Sequence, residues 1–194
     1  MFKAAPSSRR SFLLSSAALA VAGAFGASRL ARAETIMVTP GKVKIQRFSD
    51  LGKSIGVVEV DKVIKSEEEW RKQLASAPQP ELTFQVTRQE GTEYPRTGPN
   101  WDNHSAGLYR CICCDNALYT NDTKYDSGTG WPSFWQPIAA ENIIQNVPQQ
   151  GGLKVSCTLC EAHLGHVFED GPKPTGLRYC MDGVAMRFIA WPTT

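Results

Sequence analysis

Apolar positions are unevenly patterned along the chain, and the pattern divides it into three stretches. Ser15 to Ser28 is a short apolar run rich in Ala, Gly and Ser. Between residues 34 and 65 the text turns β-like: Ile55-Gly56-Val57-Val58-Glu59-Val60 is β-rich, and Asp61-Lys62-Val63-Ile64-Lys65 alternates polar with apolar, so this segment predicts a tether and an early strand pair. Ser66-Glu67-Glu68-Glu69 is a capping box and opens a helix to about Ala75, with Trp70 and Leu74 on one face. Pro78 and Pro80 end it, and residues 81–90 predict a second short helix carrying Leu82, Phe84 and Val86. From Gly91 onward Gly, Pro, Asn and Asp punctuate short apolar runs. Strands are expected at 107–110, 117–120, 143–146, 153–156, 167–168 and 183–191. The fold class is therefore mainly β: antiparallel sheets with short N-terminal helices and a structural metal site.

The first stretch changes the reading of charge. Ser8-Arg9-Arg10-Ser11-Phe12-Leu13-Leu14 has the form of a twin-arginine export signal, and Ala31-Arg32-Ala33 offers small residues for cleavage after Ala33. The alternative, a short membrane anchor, suits the apolar run less well because it is short for a spanning helix. Residues 1–33 hold five basic groups and no acid, so of 21 basic and 19 acidic residues the remainder keeps 16 and 19, a net of −3. Charge gives no case for nucleic-acid binding. The expected organisation is a removed signal over 1–33, an extension over 34–62 and one domain over 63–194, exported to the periplasm or beyond.

All six cysteines lie between 111 and 180. Cys111/Cys114 and Cys157/Cys160 form two C-x-x-C pairs, a spacing that aims four thiolates at one ion. Four sulfur ligands leave no open position, which marks a structural site, and thiolate softness favours Zn²⁺, one per chain. Such binding supplies on the order of 10–16 kcal/mol of folding free energy. Two disulfides, or a redox-active C-x-x-C, are the competing uses. Cys113 adjoins Cys114 and is left outside the site. Folded export through a twin-arginine route would let the metal load before oxidation competes.

Cys180 stands apart in Arg178-Tyr179-Cys180-Met181-Asp182. It is either a small buried hydrophobe or a reactive thiol. On a strand Arg178 shares its face and would favour the thiolate. His163-Leu164-Gly165-His166 follows directly on the second knuckle, which would fix its backbone. A histidine beside a thiolate is what a thiol enzyme needs. Gly130-Trp131-Pro132-Ser133-Phe134-Trp135 is core or, on a loop rim, a wall for a small apolar group.

These segments together resemble the B-type methionine sulfoxide reductases. The resemblance rests on Tyr109 to Cys114, Tyr125 to Phe134, His163 to Phe168 and Arg178-Tyr179-Cys180, with Thr87 to Glu93 also similar. It implies two antiparallel sheets with zinc on one side and a substrate pocket on the other. It implies Cys180 as nucleophile, Trp131 as a wall for the substrate methyl with Phe134 nearby, and His163, His166 and Asp170 around the sulfoxide oxygen, while Arg178 helps hold the thiolate. The implied reaction is reduction of methionine R-sulfoxide, free or in proteins, through a Cys180 sulfenic acid regenerated by a thioredoxin-like or other thiol donor. Two positions depart from the family. Thr129 stands where a resolving cysteine is frequent, so direct reduction by an outside thiol is expected rather than a Cys113–Cys180 disulfide. Asp182 stands where Asn is common, and as a carboxylate it would raise the Cys180 pKa and repel the sulfoxide oxygen. Two other classes compete: a zinc-ribbon-like binding module with a buried Cys180, and a zinc hydrolase with His163 or His166 on an open metal.

Overall fold

The computed structural model describes residues 34–149 and 152–192, so the expected signal over 1–33 and its cleavage point lie outside the described residues. Among these, no helix is long and apolar enough to cross a membrane.

A hairpin comes first, β1 (Lys42–Phe48) against β2 (Ser54–Asp61), antiparallel. The expected strand pair thus exists, but it lies earlier than expected. Asp61–Lys65 is not a second strand beyond its first residue; the alternation there belongs to a lead-in to the helix. The hairpin is tied down by Asn142, whose side chain accepts from Gln46 N at 2.8 Å and donates to Gln46 O at 2.9 Å.

Helix α1 (Glu67–Leu74) begins at the capping box as expected: Glu69 N donates to Ser66 Oγ at 3.2 Å and Ser66 N to Glu69 Oε2 at 2.7 Å. Trp70 and Leu74 form its buried face. Helix α2 (Pro80–Gln89) starts with Pro at its first turn, where the missing N–H costs nothing, and stops at Glu90 in left-handed geometry (φ 56°).

Two further antiparallel sheets carry the rest. A three-stranded sheet is ordered β11 (Met186–Ala190), β3 (Gly107–Cys111), β4 (Ala117–Thr120). A six-stranded sheet is ordered β5 (Lys124–Tyr125), β6 (Ser133–Phe134), β10 (Arg178–Met181), β9 (His163–Phe168), β8 (Gly152–Cys157), β7 (Ile143–Gln149). The fold is mainly β, as the pattern predicts, with the hairpin added to the two expected sheets. Aromatic side chains join the two larger sheets: Phe134 stacks on Tyr119 at 4.3 Å and meets Tyr109 edge-on at 5.1 Å. Edge and offset ring pairs of this kind add about 0.5–1.5 kcal/mol beyond area burial.

Register in the larger sheet positions the site. Tyr125, Ser133, Cys180, His166, Lys154 and Asn146 are Cα partners in one row from β5 to β7. Directly paired residues point to the same face. Gly165, beside this row, has φ +143°, and a Cβ there would sit 2.2 Å from the Cys180 carbonyl oxygen. Only glycine lets β9 and β10 close at Cys180.

Candidate active site and metal centre

The two cysteine pairs occupy matching turns. Asp115 N donates to Cys111 O at 2.9 Å, and Glu161 N to Cys157 O at 2.8 Å. Asp115 and Glu161 then take left-handed conformations (φ 65° and 54°), turning each chain back so that both thiols face inward. The four sulfurs lie within 4.8 Å of one another. Cys111 Sγ is 3.7 Å from Cys160 Sγ, and Cys114 Sγ is 3.5 Å from Cys157 Sγ. Sulfurs about 2.3 Å from a tetrahedral ion are about 3.8 Å apart, so the donor set fits a metal of zinc's size. All six cysteines are free, as a thiolate site requires and the disulfide alternative does not. Neither His163 nor His166 joins the cluster.

Around the cluster, Asn116 Nδ2 donates to Cys157 Sγ at 3.6 Å. Arg88 is fully buried, donates through Nη1 to Cys160 O at 2.9 Å and lies 4.8 Å over the Trp70 ring. Among the described residues no carboxylate pairs with this arginine. A four-thiolate site holding a divalent ion would carry two negative charges, and Arg88 is a buried cation bonded to the backbone of the second knuckle. Cys113 is buried, and its carbonyl accepts from Gln73 Nε2 at 2.6 Å.

On the pocket side, a cavity of about 340 Å³ is lined by Cys180, Arg178, Asp182, His166, Trp131 and Thr129, with Thr92, Gly165 and Phe168 completing it. Its size suits a small side chain. Trp131 is held by a hydrogen bond from Nε1 to Glu93 O at 3.2 Å and presents its ring as a wall. Phe134 is not on this pocket. It is fully buried between the sheets, because residues 133 and 134 form a strand and alternate faces: Ser133 takes the Cys180 side and Phe134 the core. Cys113 is not on the pocket lining either.

His166 borders the cavity; His163 lies beneath it, 1% exposed, its ring centre 5.2 Å from that of His166. Burial pushes the His163 pKa down to about 4, with the neighbouring His166 adding to the shift, and burial also lowers His166. Both rings are neutral near pH 7. Asp170 is exposed and grips Arg178 through two hydrogen bonds, from Nε at 2.9 Å and from Nη2 at 2.7 Å. It acts on the pocket through that arginine, whose guanidinium also covers the Phe168 ring at 4.5 Å.

Burial raises the Cys180 thiol; Arg178 and Thr129 pull it down, and Asp182 pushes it up. The arginine therefore acts in the expected direction, but burial outweighs it. Asp182 differs more from expectation. Burial lifts its carboxyl to about 8, against the hydrogen bond from Glu93 N and with the Glu93 charge adding to the rise. At neutral pH it is a neutral acid, not a repelling carboxylate. Its Oδ1 accepts from Glu93 N at 2.9 Å, and Oδ2 faces His163 Nε2 at 3.8 Å. Glu93 itself is buried, its carboxylate accepting from Gly183 N at 2.7 Å and Val184 N at 2.9 Å. It clamps the turn after β10 and holds both Asp182 and Trp131. Glu93, Thr92 and Thr129 have no site role in the sequence reading; a polar loop residue gives no sign there that it will line a pocket, as the two threonines do, or be buried, as Glu93 is.

Comparison with known proteins follows this geometry. The SelR domain model matches residues 80–190. The peptide methionine sulfoxide reductase MsrB of Hahella chejuensis is 47% identical over 132 residues, covering 66% of this chain and 91% of that protein. That of Herminiimonas arsenicoxydans is 44% identical over 135 residues, 68% of this chain and 95% of that protein. That of Agrobacterium fabrum is 45% identical over 130 residues, 66% and 93%. The matched segment includes both cysteine knuckles, the Trp131 loop and the strand bearing Cys180, and on this ground the chain belongs to the B-type peptide methionine sulfoxide reductase family.

Proposed function

We propose that the chain reduces methionine R-sulfoxide through a Cys180 sulfenic acid that an outside thiol regenerates. The enzyme class, an oxidoreductase acting on methionine sulfoxide, follows from family membership. The observation that carries the mechanism is the separation of sulfurs: four cysteines converge on one point, while Cys180 alone borders the substrate-sized cavity.

In this reading the Cys180 thiolate attacks the sulfoxide sulfur while the sulfoxide oxygen takes a proton. The attack forms an S–S bond to a substrate sulfur that carries a hydroxyl. The hydroxyl then passes to the Cys180 sulfur as the substrate S–O bond and the new S–S bond break, methionine leaves, and oxygen remains as Cys180–SOH. Sulfoxide sulfur is electrophilic only when its oxygen is protonated, so acid and nucleophile act together. Asp182 lines the pocket and holds a proton at neutral pH, whereas His166 is neutral and His163 lies off the lining. Asp182 is therefore the proton donor, and His166 orients the oxygen. Trp131 walls the methyl group. Two equivalents of an external thiol then return Cys180–SOH to the thiol, giving a disulfide and water. Thr129 has no sulfur, and Cys113 is buried away from the pocket lining, which supports direct reduction.

Cys111, Cys114, Cys157 and Cys160 would hold zinc, which when bound supplies structural cross-linking and no open coordination position. Residues 1–33 are proposed as a removed twin-arginine signal, placing the enzyme outside the cytoplasm, where its donor must be other than cytoplasmic thioredoxin. The test is turnover of separated R and S epimers with dithiothreitol, for the wild type and Cys180→Ser. The expected result is turnover of the R epimer by the wild type alone. Turnover by the serine variant would overturn the assignment.

A further inference from the structure

Away from the histidines, Cys180 faces three hydroxyls in series. Thr129 Oγ1 lies 4.0 Å from Cys180 Sγ. It is 2.8 Å from Ser127 Oγ, which is 2.8 Å from Ser133 Oγ. Ser133 Oγ lies 3.2 Å from the Trp131 carbonyl oxygen. Sheet register fixes the far link, because Ser133 on β6 is paired with Cys180 on β10 and is fully buried.

Each hydroxyl has one proton to give and two lone pairs. Two arrangements give every one of these protons a partner without moving a heavy atom. With Cys180 as a thiol, S–H donates to Thr129, Thr129 to Ser127, Ser127 to Ser133, and Ser133 to the Trp131 carbonyl. With Cys180 ionised, all three hydroxyls turn: Ser133 donates to Ser127, Ser127 to Thr129, and Thr129 to the sulfur. The proton that left sulfur goes to solvent through the open pocket.

We propose that Ser133, Ser127 and Thr129 form a reversible hydrogen-bond relay that stabilises the ionised Cys180 sulfur, making Thr129 a catalytic residue. This rests on the reductase reading only in taking Cys180 as the nucleophile. The need for such a relay follows from the surroundings. Among the described residues, Arg178 on β10, Asp182 in the turn just after it, His166 on β9 and Tyr125 on β5 are the other charged or titratable groups facing the sulfur. Arg178 is the one cation among them, and two of its N–H groups are held by Asp170. Asp182 and Tyr125 offer no positive charge, and His166 is neutral near pH 7. Burial works against the thiolate, and after Arg178 the Thr129 hydroxyl is the largest group acting the other way. Hydrogen bonding to the charged form favours that form, and a relay polarises its last donor further.

The test is the pH dependence of iodoacetamide alkylation at Cys180, followed by peptide mass spectrometry on the metal-loaded protein. Thr129→Val is expected to raise the midpoint by about one pH unit, an alkylation rate roughly 10-fold lower at pH 7. Thr129→Ser should retain the wild-type profile, and Ser127→Ala should shift the midpoint the same way by less. A valine profile that superimposes on wild type overturns the relay, as does a serine variant that shifts as far as valine. Should the valine variant not fold, an unshifted Ser127→Ala profile overturns it. Alkylation needs no substrate, so its outcome is separable from success or failure of the epimer assay.

Discussion

Asp182 lies two positions past Cys180 and has an ordinary aspartate value of 3.8 when unfolded, but about 8 when folded, because it is buried. Between those values the unfolded chain has released the proton that the folded chain keeps. Stability must therefore fall as pH rises from about 4 to about 8, then level. His163 opposes this below its ordinary value of 6.5, because its folded value of about 4 makes stability rise with pH there. The uncompensated window is about pH 6.5–8. Asp182→Asn is expected to flatten the thermal midpoint across that window and to leave the variant more stable than wild type at pH 8. Parallel wild-type and variant curves would remove the buried-acid account. At this scale the sequence was legible where chemistry is intrinsic to residue type. A lone cysteine with a nearby arginine and histidines marks Cys180, and Trp131 is marked by its glycine-rich loop. It was not legible where burial decides. Glu93 and Asp182 look like surface acids, and Phe134 looks like its neighbour Trp131 until strand alternation turns it inward.

Helix α2 links the pocket loop to the metal centre. Its last turn carries Arg88 to Cys160 O, and the loop beyond it carries Thr92 to the cavity. If Arg88 offsets the charge of the metal–thiolate cluster, Arg88→Met should release metal to a chelator at least about 10-fold faster and lower the thermal midpoint, since an unneutralised buried charge costs several kcal/mol. Unchanged release would make Arg88 a packing residue over Trp70. The capping box and the two helices were legible because their signals are local. Strands β3, β4, β7 and β8 were legible from short apolar runs. The two-residue strands β5 and β6 carry no periodicity of their own; pairing across the sheet makes them strands. Strand β11 is shorter than its apolar run because residues 183–185 turn as a 3₁₀ segment.

The described domain joins a four-cysteine end to a pocket through β9, which leaves the second knuckle and reaches His166 within six residues. Core aromatics bridge the two larger sheets, but the knuckle turns are loops brought together only at the four cysteine sulfurs, where a metal would close them. Removal of metal should abolish the cooperative thermal transition of the domain, because metal-binding free energy in such sites is folding free energy. A cooperative transition of unchanged midpoint in the metal-free protein would show that the cluster is ornamental to folding. The division of sulfurs was legible from spacing alone; the sheet row that sets Cys180 opposite both Ser133 and His166 was not, because register is a property of paired strands. The most direct measurement is a single turnover with one equivalent of the R epimer and no reductant, with sulfenic acid trapped by dimedone and bound metal counted in the same sample. The account predicts one oxygen trapped on Cys180, with Cys111, Cys114, Cys157 and Cys160 unmodified and one metal ion retained per chain. A Cys113–Cys180 disulfide, or oxidation of the four clustered cysteines with loss of metal, would contradict it.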